Sequence, residues 1–498
     1  MKLFASSLAF VLTLSSFVVD YSFSLPLSQT SRQLNPNKPV DSADWPMFGR
    51  DLAGSHYNPL ERQITPGTVS RLKTKWIFET QGDVSSQPIV ARGVVYFGSW
   101  DGKEYAVDAN TGRKIWQFDI KVPSRGGAVL ANGTLYFGAL DGQLYALDAK
   151  TGRLNWKVRI DQHQSAIATS SPIYYRDRIY IGISSQEENA LTEDPNYKCC
   201  SFRGGVVVFD APTGSELWRF YTIPEPPTNR GHDKKGRLIL GPSGAAVWST
   251  VAIHPESNRL YFTTGNQHTD PATKFSDAII ALELNTVRLI WVYQARPGDR
   301  FTSDCDRSTG ECGPDFDFGT TPIAFKGPNA KQLIGAGQKS GTFYALNPAD
   351  GKLVWQTDVA KDRFAGSIVY GNATDGERIY YAISNAYRKN KQGSVGALKA
   401  STGEILWQTL SPDGFSNHGP ITVTGSADNR LVFAGSTGNF IRAYNAKTGK
   451  ILWEFDTGGA VAGGPTVVDG VLYIGSGYRL AGVGMGNNKL YAFSIDGK

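Results

Sequence analysis

The sequence predicts an all-β fold, an eight-bladed β-propeller, and three observations carry that prediction. A unit of strand, tight turn and strand recurs from one end of the chain to the other, its second strand leading to a Trp. The Trp-to-Trp intervals are 40, 40, 62, 73, 64, 52 and 46 residues, the length of one four-stranded blade plus variable insertions. The composition agrees: 55 Gly, 12% aromatic and only 19% charged residues, without helical periodicity, suit many short strands and argue against an α-solenoid.

The unit is clearest at Tyr145-Ala-Leu-Asp-Ala-Lys-Thr-Gly-Arg-Leu-Asn-Trp156. Tyr145 and Leu147 alternate as a strand does, Asp148 and Thr151-Gly152 supply the turn, and Leu154 leads back out to the large aromatic. Other copies, complete or degraded, run Tyr105 to Trp116, Val208 to Trp218, Ala281 to Trp291, Tyr344 to Trp355, Ala397 to Trp407 and Tyr444 to Trp453. Two fragments complete the count. Leu72 to Glu79 has Trp76 and a second strand without a first, and Leu490 to Lys498 has a first strand and turn without a Trp. Joined, they make an eighth unit, and a blade shared by both termini closes a ring that has no open sheet edge. Upstream of the units a Pro recurs, at Pro88, Pro172, Pro322, Pro420 and Pro465, at the first position of a strand where no ladder donor is lost.

One domain is expected over residues 45–498, because the repeat runs from Trp76 to the last strand without a low-complexity break. Residues 1–24 read as a cleaved export signal: Lys2, a serine-interrupted apolar run from Leu3 to Val19, then Ser22-Phe-Ser24. That run is short and polar for a bilayer span, so no span is expected in the mature chain, and the location is secreted or periplasmic. Residues 25–44, with Pro, Ser, Gln and Asn, read as a disordered lead-in. A net charge of +6 spread over this length, with no long Lys/Arg run, is too dilute for a nucleic-acid footprint.

The four cysteines fall in two pairs. Cys305 and Cys312 bracket a short loop, and closing it would stabilise by roughly 2 to 3 kcal/mol in the chain-entropy model. Cys199 and Cys200 are adjacent, with Cα atoms about 3.8 Å apart across a trans peptide, below the usual disulfide range. A strained vicinal bond, two reduced thiols, or pairing of either with another Cys all fit this spacing.

Insertions lengthen the units between Ser185 and Arg203, Thr222 and Val247, and Arg296 and Phe318. Function collects on loops held by a rigid scaffold, so the candidate chemistry lies there. Glu187, Asn266 and, in Gly313-Pro-Asp-Phe-Asp-Phe-Gly319, Asp315 and Asp317 are hard oxygen donors suited to Ca²⁺ if they converge on the axis. Trp248 offers an aromatic face, and Arg125 and Lys339 offer cations for an anionic ligand. Trp100 is a further aromatic able to stack on a ring, as a polymer- or sugar-binding propeller would require.

The repeat A-x-D-x-x-T-G-x-x-x-W resembles that of the quinoprotein alcohol dehydrogenases, propellers that bind pyrroloquinoline quinone (PQQ) and Ca²⁺ on the axis. Cys199-Cys-Ser-Phe-Arg-Gly204, Ile183-Ser-Ser-Gln-Glu-Glu188 and Gly313 to Gly319 look most like the polyvinyl-alcohol-dehydrogenase-like branch. The resemblance implies an eight-bladed fold with Trp-docking repeats. It implies Glu187 and Asn266 as Ca²⁺ ligands, together with Asp317, which also matches the catalytic aspartate, Asp315 being the competing register. It further implies Trp248 as the indole on which the quinone stacks, Arg125 beside the quinone carbonyls, Lys339 as a second cation there, and Thr169, Ser184 and Ser185 at the cofactor carboxylates. The vicinal pair Cys199 and Cys200 counts with the cofactor-binding residues in this reading. The implied chemistry is oxidation of a small or polymeric primary or secondary alcohol. Asp317 takes the hydroxyl proton, the quinone takes hydride, and Ca²⁺ acts as Lewis acid.

Departures from the family are specific. Methanol-type members have a glutamate before the position of Pro88, where this chain has Ser85 and Ser86. The vicinal cysteines of those members precede the matching arginine, whereas here they come after Arg125, at Cys199-Cys200. No Cys-x-x-Cys-His is present, so electrons would leave through a separate acceptor rather than a fused haem c domain. The alternative is a non-enzymatic propeller scaffold of the outer-membrane assembly type, which shares the repeat but not the cofactor residues.

Overall fold

Each repeat unit folds as the outer half of a four-stranded antiparallel sheet, and eight such sheets make an eight-bladed β-propeller. The computed structural model describes residues 44–305, 312–360, 367–386 and 392–498, so the expected export signal and nearly all of the lead-in lie outside the described residues. Blade 1 joins the two ends of the chain: Thr466–Val468, Val471–Ser476 and Lys489–Ile495 are completed by Leu72–Glu79. The closing ladder pairs Leu72 with Ile495 and Glu79 with Lys489. Blades 2 to 8 follow in order, their first strands being Ile89–Ala91, Val129–Ala131, Ile173–Tyr175, Ala252–His254, Ile323–Lys326, Asn372–Thr374 and Thr422–Thr424.

First strands such as Ile89–Ala91 are buried throughout, while fourth strands such as Lys114–Asp119 alternate between exposed and covered, as an outermost strand must. A register shift in each outer hairpin lifts one residue out of the ladder just ahead of the Trp. This bulge turns Ile115, Leu217, Val354 and Leu406 to solvent and the following indole inward.

The Trp docks blade to blade. Trp116 Nε1 donates to the carbonyl of Ala149 in the next blade's turn at 2.9 Å, and Trp156, Trp291, Trp355 and Trp407 repeat the contact at Ala211, Pro348, Ala400 and Ala446. Each ring lies on the turn glycine: a Cβ on Gly112 would come within 2.7 Å of Trp76, and one on Gly449 within 2.4 Å of Trp407. Glycine is therefore required twice over, by its positive φ and by the indole that covers it. Blade 5 departs from the pattern: Val287 stands where the glycine would, at φ 61°, and the buried Nε1 of Trp218 has no hydrogen-bond partner.

The residues before the ring, from Trp45 on, run along the inner strands. Val90 N–H donates to Trp45, Leu130 N–H to Pro46, Ile253 N–H to Leu52, Thr374 N–H to Ser55 and Val423 N–H to His56. Tyr57–Asn58 then adds a parallel strand to blade 8. Both cysteine pairs are disulfides, Cys199 to Cys200 and Cys305 to Cys312. Among the described residues no helix is long and apolar enough to cross a membrane.

Candidate active site

One register position, shared by six of the eight blades, contributes to the pocket. Ser85, Arg125, Thr169, Trp248, Gly319 and Ala462 each lie four residues ahead of the first strand of their blades, and all six line a single cavity. In these six blades the loop that crosses from one blade's outer strand to the next blade's inner strand brings that position to the cavity. Phe48 of the N-terminal segment and Gln87, which accepts from Gly49 N–H at 3.1 Å, complete one wall.

Trp248 packs against glycines on one side and meets the Tyr370 ring edge-on, 5.4 Å between centres. A Cβ on Gly319 would fall 1.9 Å from Cη2 of its ring, and one on Gly265 would fall 3.2 Å from its Nε1 and 2.9 Å from Asp317 Oδ1. The indole edge and the Asp317 carboxylate therefore flank the same bare stretch of backbone. Thr169 lines the pocket, and its hydroxyl is buried with no hydrogen-bond partner among the described residues.

Asp317 is held from three sides. Its Oδ1 accepts from Asn266 N–H at 2.6 Å, its Oδ2 from Lys339 Nζ at 2.8 Å, and its carbonyl from Lys339 N–H at 2.9 Å. Lys339 Nζ also donates to Asp315 Oδ1 at 2.7 Å and sits 5.5 Å over the Trp248 ring. Burial lowers the Lys339 pKa, but Asp315, Asp317 and Glu188 more than reverse that, so the ammonium is held charged. Burial pushes Asp315 up to about 7, with the charges of Asp317 and Glu188 adding to the effect and Lys339 opposing it. The Asn266 amide gives its hydrogens to the carbonyls of Gln267 and Phe301, at 2.7 and 3.0 Å, which leaves Oδ1 as its acceptor.

The two adjacent glutamates face different surroundings. Glu187 is fully buried and saturated: Tyr197 hydroxyl and Ser201 N–H donate to Oε1 at 2.8 and 2.7 Å, and Phe202 N–H donates to Oε2 at 2.8 Å. His163 and His268 stand 3.4 Å from the same two oxygens. Burial raises the Glu187 pKa, and these donors outweigh it, holding the carboxylate below its ordinary range. Glu188 instead interacts with Lys339, Asp317 and His268, and burial pushes it up.

The structure thus brings together Asp317, Asp315, Asn266, Lys339 and Trp248, and Trp248 lines the pocket together with Arg125 and Thr169. Asp315, Asp317, Asn266, Lys339 and Glu187 are not themselves among the residues that line it, and neither are Ser184, Ser185, Cys199 and Cys200. Ser184 pairs with Ile167 in a ladder, and Ser185 Oγ accepts from Glu187 N–H at 3.2 Å. Cys200 sulfur, Glu187 and His268 have ligand-type atoms within 4.8 Å of one another, but the sulfur is in a disulfide and the carboxylate is taken by N–H and O–H donors.

Sequence reasoning missed Glu188, Tyr370, Tyr478 and His418. Arg125 Nη2 donates to the hydroxyls of Tyr370 and Tyr478 at 3.2 and 2.8 Å, and its guanidinium lies 5.6 Å from the ring centres of Trp100 and Tyr478. His418 was findable, since it too stands four residues before a first strand, Thr422–Thr424.

Comparison with known proteins shows the family and the fold. The profile described as glucose/ethanol/alcohol dehydrogenase, beta-propeller domain, matches residues 45–358, and that of outer membrane protein assembly factor BamB matches residues 391–498. A polyvinylalcohol dehydrogenase from a Pseudomonas sp is 32% identical over 92% of this chain and 79% of its own length. Another, from Sphingopyxis sp. (strain 113P3), is 33% identical over 86% of this chain and 73% of its own. The crystal structure of the quinohemoprotein alcohol dehydrogenase from Comamonas testosteroni aligns with TM-score 0.73 and 22% identity over 92% of this chain and 81% of that one, a likeness of fold. BamB from Moraxella catarrhalis aligns at TM-score 0.54 with 15% identity, covering 85% of this chain and 99% of that one.

Proposed function

This chain belongs to the family of PQQ-dependent alcohol dehydrogenase β-propellers, beside the polyvinylalcohol dehydrogenases, and from that premise we propose an exported enzyme that oxidises a primary or secondary alcohol, polymeric ones included. One observation carries the reading. Asp317 is a carboxylate fixed by Asn266 N–H and Lys339 Nζ beside the bare-backbone cradle of Trp248, where a proton acceptor must stand to serve a flat ring laid on the indole.

The residues present fit the quinone and a calcium ion. The buried Thr169 hydroxyl lacks a partner that an anionic oxygen would supply, Trp248 lines the pocket with an aromatic ring, and Arg125 adds donors on the same pocket. For the ion we propose Glu188, Asn266 Oδ1 and Asp317 as ligands, with Glu187, expected in that role from sequence, serving as the anchor behind them. Hard oxygen donors of this kind select Ca²⁺ over softer metals. Bound there, quinone and ion would supply the two-electron acceptor and the Lewis acid.

The chain's own residues do the rest. Asp317 takes the hydroxyl proton of the alcohol, its free orientations removed by the amide and ammonium that grip it. Lys339 keeps Asp317 and Asp315 compatible at close range, and with Arg125 stabilises negative charge that develops on the pocket's occupant. Ser184, Ser185, Cys199 and Cys200 act from behind the pocket, through the segment that carries Glu187 and Glu188. Electrons leave to a separate acceptor. The scaffold alternative gives no reason for buried acids to be gathered around one lysine, an arrangement costly to fold.

Titration of EDTA-stripped protein with PQQ, with and without Ca²⁺, tests the reading through Trp fluorescence and dye reduction with a panel of alcohols. Calcium-dependent quenching with alcohol-dependent dye reduction is expected. Absence of quenching at high quinone would return the propeller to the scaffold class.

A further inference from the structure

Arg125 reaches the pocket across a gap in the family pattern, since Ser85 stands where methanol-type members have an acid, and Ser85 Oγ accepts from Trp100 Nε1 at 2.8 Å. Two phenols from two other loops meet the guanidinium. Tyr370 comes from the crossing between blades 6 and 7, and Tyr478 from the loop between the second and third strands of blade 1. Both phenol oxygens accept from Arg125 Nη2. His418, from the crossing between blades 7 and 8, is wedged against both phenols, 5.3 Å from the Tyr370 ring and 5.6 Å from the Tyr478 ring, and its Nδ1 is 2.9 Å from Ser384 Oγ.

We propose that Tyr370, Tyr478 and His418 form a positioning clamp for Arg125, in which the two hydroxyls fix the direction of the guanidinium and the imidazole ring fixes the two phenols. The clamp deepens the functional reading given above and rests on it, since the ligand it serves is the electron-rich oxygen, carboxylate or carbonyl, of the quinone. A guanidinium on a long stem has many rotamers, and two acceptors set on different loops select among them before the ligand arrives, which is where preorganisation improves affinity. A phenol that accepts from the guanidinium keeps its own proton to donate, and Tyr370 lines the pocket, so it adds a donor beside the arginine. The wedge keeps one charge state: burial, with Arg125 and Lys339 adding to it, pushes the His418 pKa down to about 3, so the imidazole is neutral at every working pH.

The test uses the full chain and PQQ itself, with binding read by Trp fluorescence rather than by turnover. Tyr370→Phe and Tyr478→Phe keep shape and packing, and each is expected to weaken quinone binding about tenfold with the thermal midpoint unchanged. His418→Ala should weaken binding comparably, and His418→Phe, which restores a ring between the phenols, should bring it back to within about threefold of wild type. Repeating the titration with the PQQ trimethyl ester identifies the oxygen: a loss confined to PQQ assigns the clamp to a carboxylate, and an equal loss in both assigns it to a carbonyl. Unchanged affinity in the folded Tyr370→Phe/Tyr478→Phe double variant would overturn the clamp alone. So would a His418→Phe variant as weak as His418→Ala. Failure of the wild type to bind quinone at all would overturn the functional reading and the clamp with it.

Discussion

Lys339 Nζ stands 2.8 Å from Asp317 Oδ2 and 2.7 Å from Asp315 Oδ1, one ammonium shared by two carboxylates two residues apart. Only Asp317 also accepts from the Asn266 amide, and only Asp317 borders the glycine that flanks Trp248. The two acids should therefore separate kinetically. Asp317→Asn is expected to lower the turnover of quinone-loaded enzyme about 10²- to 10⁴-fold with quinone binding retained, the range for loss of a general base. Asp315→Asn should stay within roughly tenfold, since it removes a neighbouring charge and not the acceptor. Single-turnover dye reduction with each variant checks this, and full turnover in a folded, quinone-binding Asp317→Ala would refute the base.

Glu187 and Glu188 make a second separable pair. Glu187→Gln exchanges an acceptor of several N–H and O–H groups for one that can accept at a single oxygen, at a cost of about 1.5 to 3 kcal/mol at neutral pH. Its effect should appear in the thermal midpoint, with calcium dependence largely kept. The stability Glu187 contributes is present above the ordinary glutamate pKa and falls away in acid, because its folded pKa is depressed; the wild-type and Glu187→Gln midpoints should converge as pH drops below about 4. Glu188→Gln should do the opposite, leaving the midpoint of calcium-free protein near wild type while weakening the calcium dependence of quinone quenching. Equal behaviour of the two variants in both assays would contradict the division of labour.

The missing glycine of blade 5 gives a stability prediction. Val287 is β-branched and held at φ 61°, a conformation that costs a non-glycine residue roughly 1 to 2 kcal/mol. Val287→Gly relieves that strain and gives the Trp218 ring the bare surface that Gly152 offers Trp116. A rise in the thermal midpoint of a few degrees is expected by differential scanning calorimetry, and a fall would show that the valine side chain packs well enough to outweigh its backbone.

The fold was legible because its signals are local and repeated. Turn glycines, Trp spacing and the split eighth unit are each a few residues long, and the structure reproduces them down to the ladder between Leu72–Glu79 and Lys489–Ile495. The site was legible where it reuses the blade register, as Arg125, Thr169 and Trp248 do. It was obscure where neighbours in sequence diverge in space. Nothing local distinguishes Glu187 from Glu188, since which one turns toward Lys339 is decided by the Ser201 and Phe202 amides, fourteen and fifteen residues away. Tyr370 and Tyr478 are 108 residues apart and meet only because the ring closes on Arg125.

Asp277 supplies the pH-dependent prediction. It immediately precedes the third strand of blade 5, Ala278–Glu283, and its carbonyl accepts from Ala295 N–H at 2.9 Å. The same hydrogen bond in the other seven blades is accepted by Gly102, Gly142, Gly204, Gly341, Gly393, Asn439 and Asn488, so this backbone position tolerates glycine or asparagine everywhere else in the ring. Asp277 alone places a carboxyl there, fully buried, with no hydrogen-bond partner for either oxygen. Burial pushes its pKa well above the ordinary carboxyl range, with the charges of Asp299, Asp317 and Asp315 adding to the effect and Lys339 opposing it. A carboxyl whose folded pKa is raised binds its proton more tightly in the native state, so folding loses stability as pH rises from about 4 toward that folded value. Each tenfold tightening of proton binding corresponds to about 1.4 kcal/mol. Asp277→Asn removes the loss while keeping shape, and Asp277→Gly restores the residue used by most blades. Both should raise the thermal midpoint at pH 8, with the gain shrinking steadily toward pH 4. A gain of equal size at both pH values would mean that Asp277 does not titrate between them, and that its cost is steric rather than electrostatic.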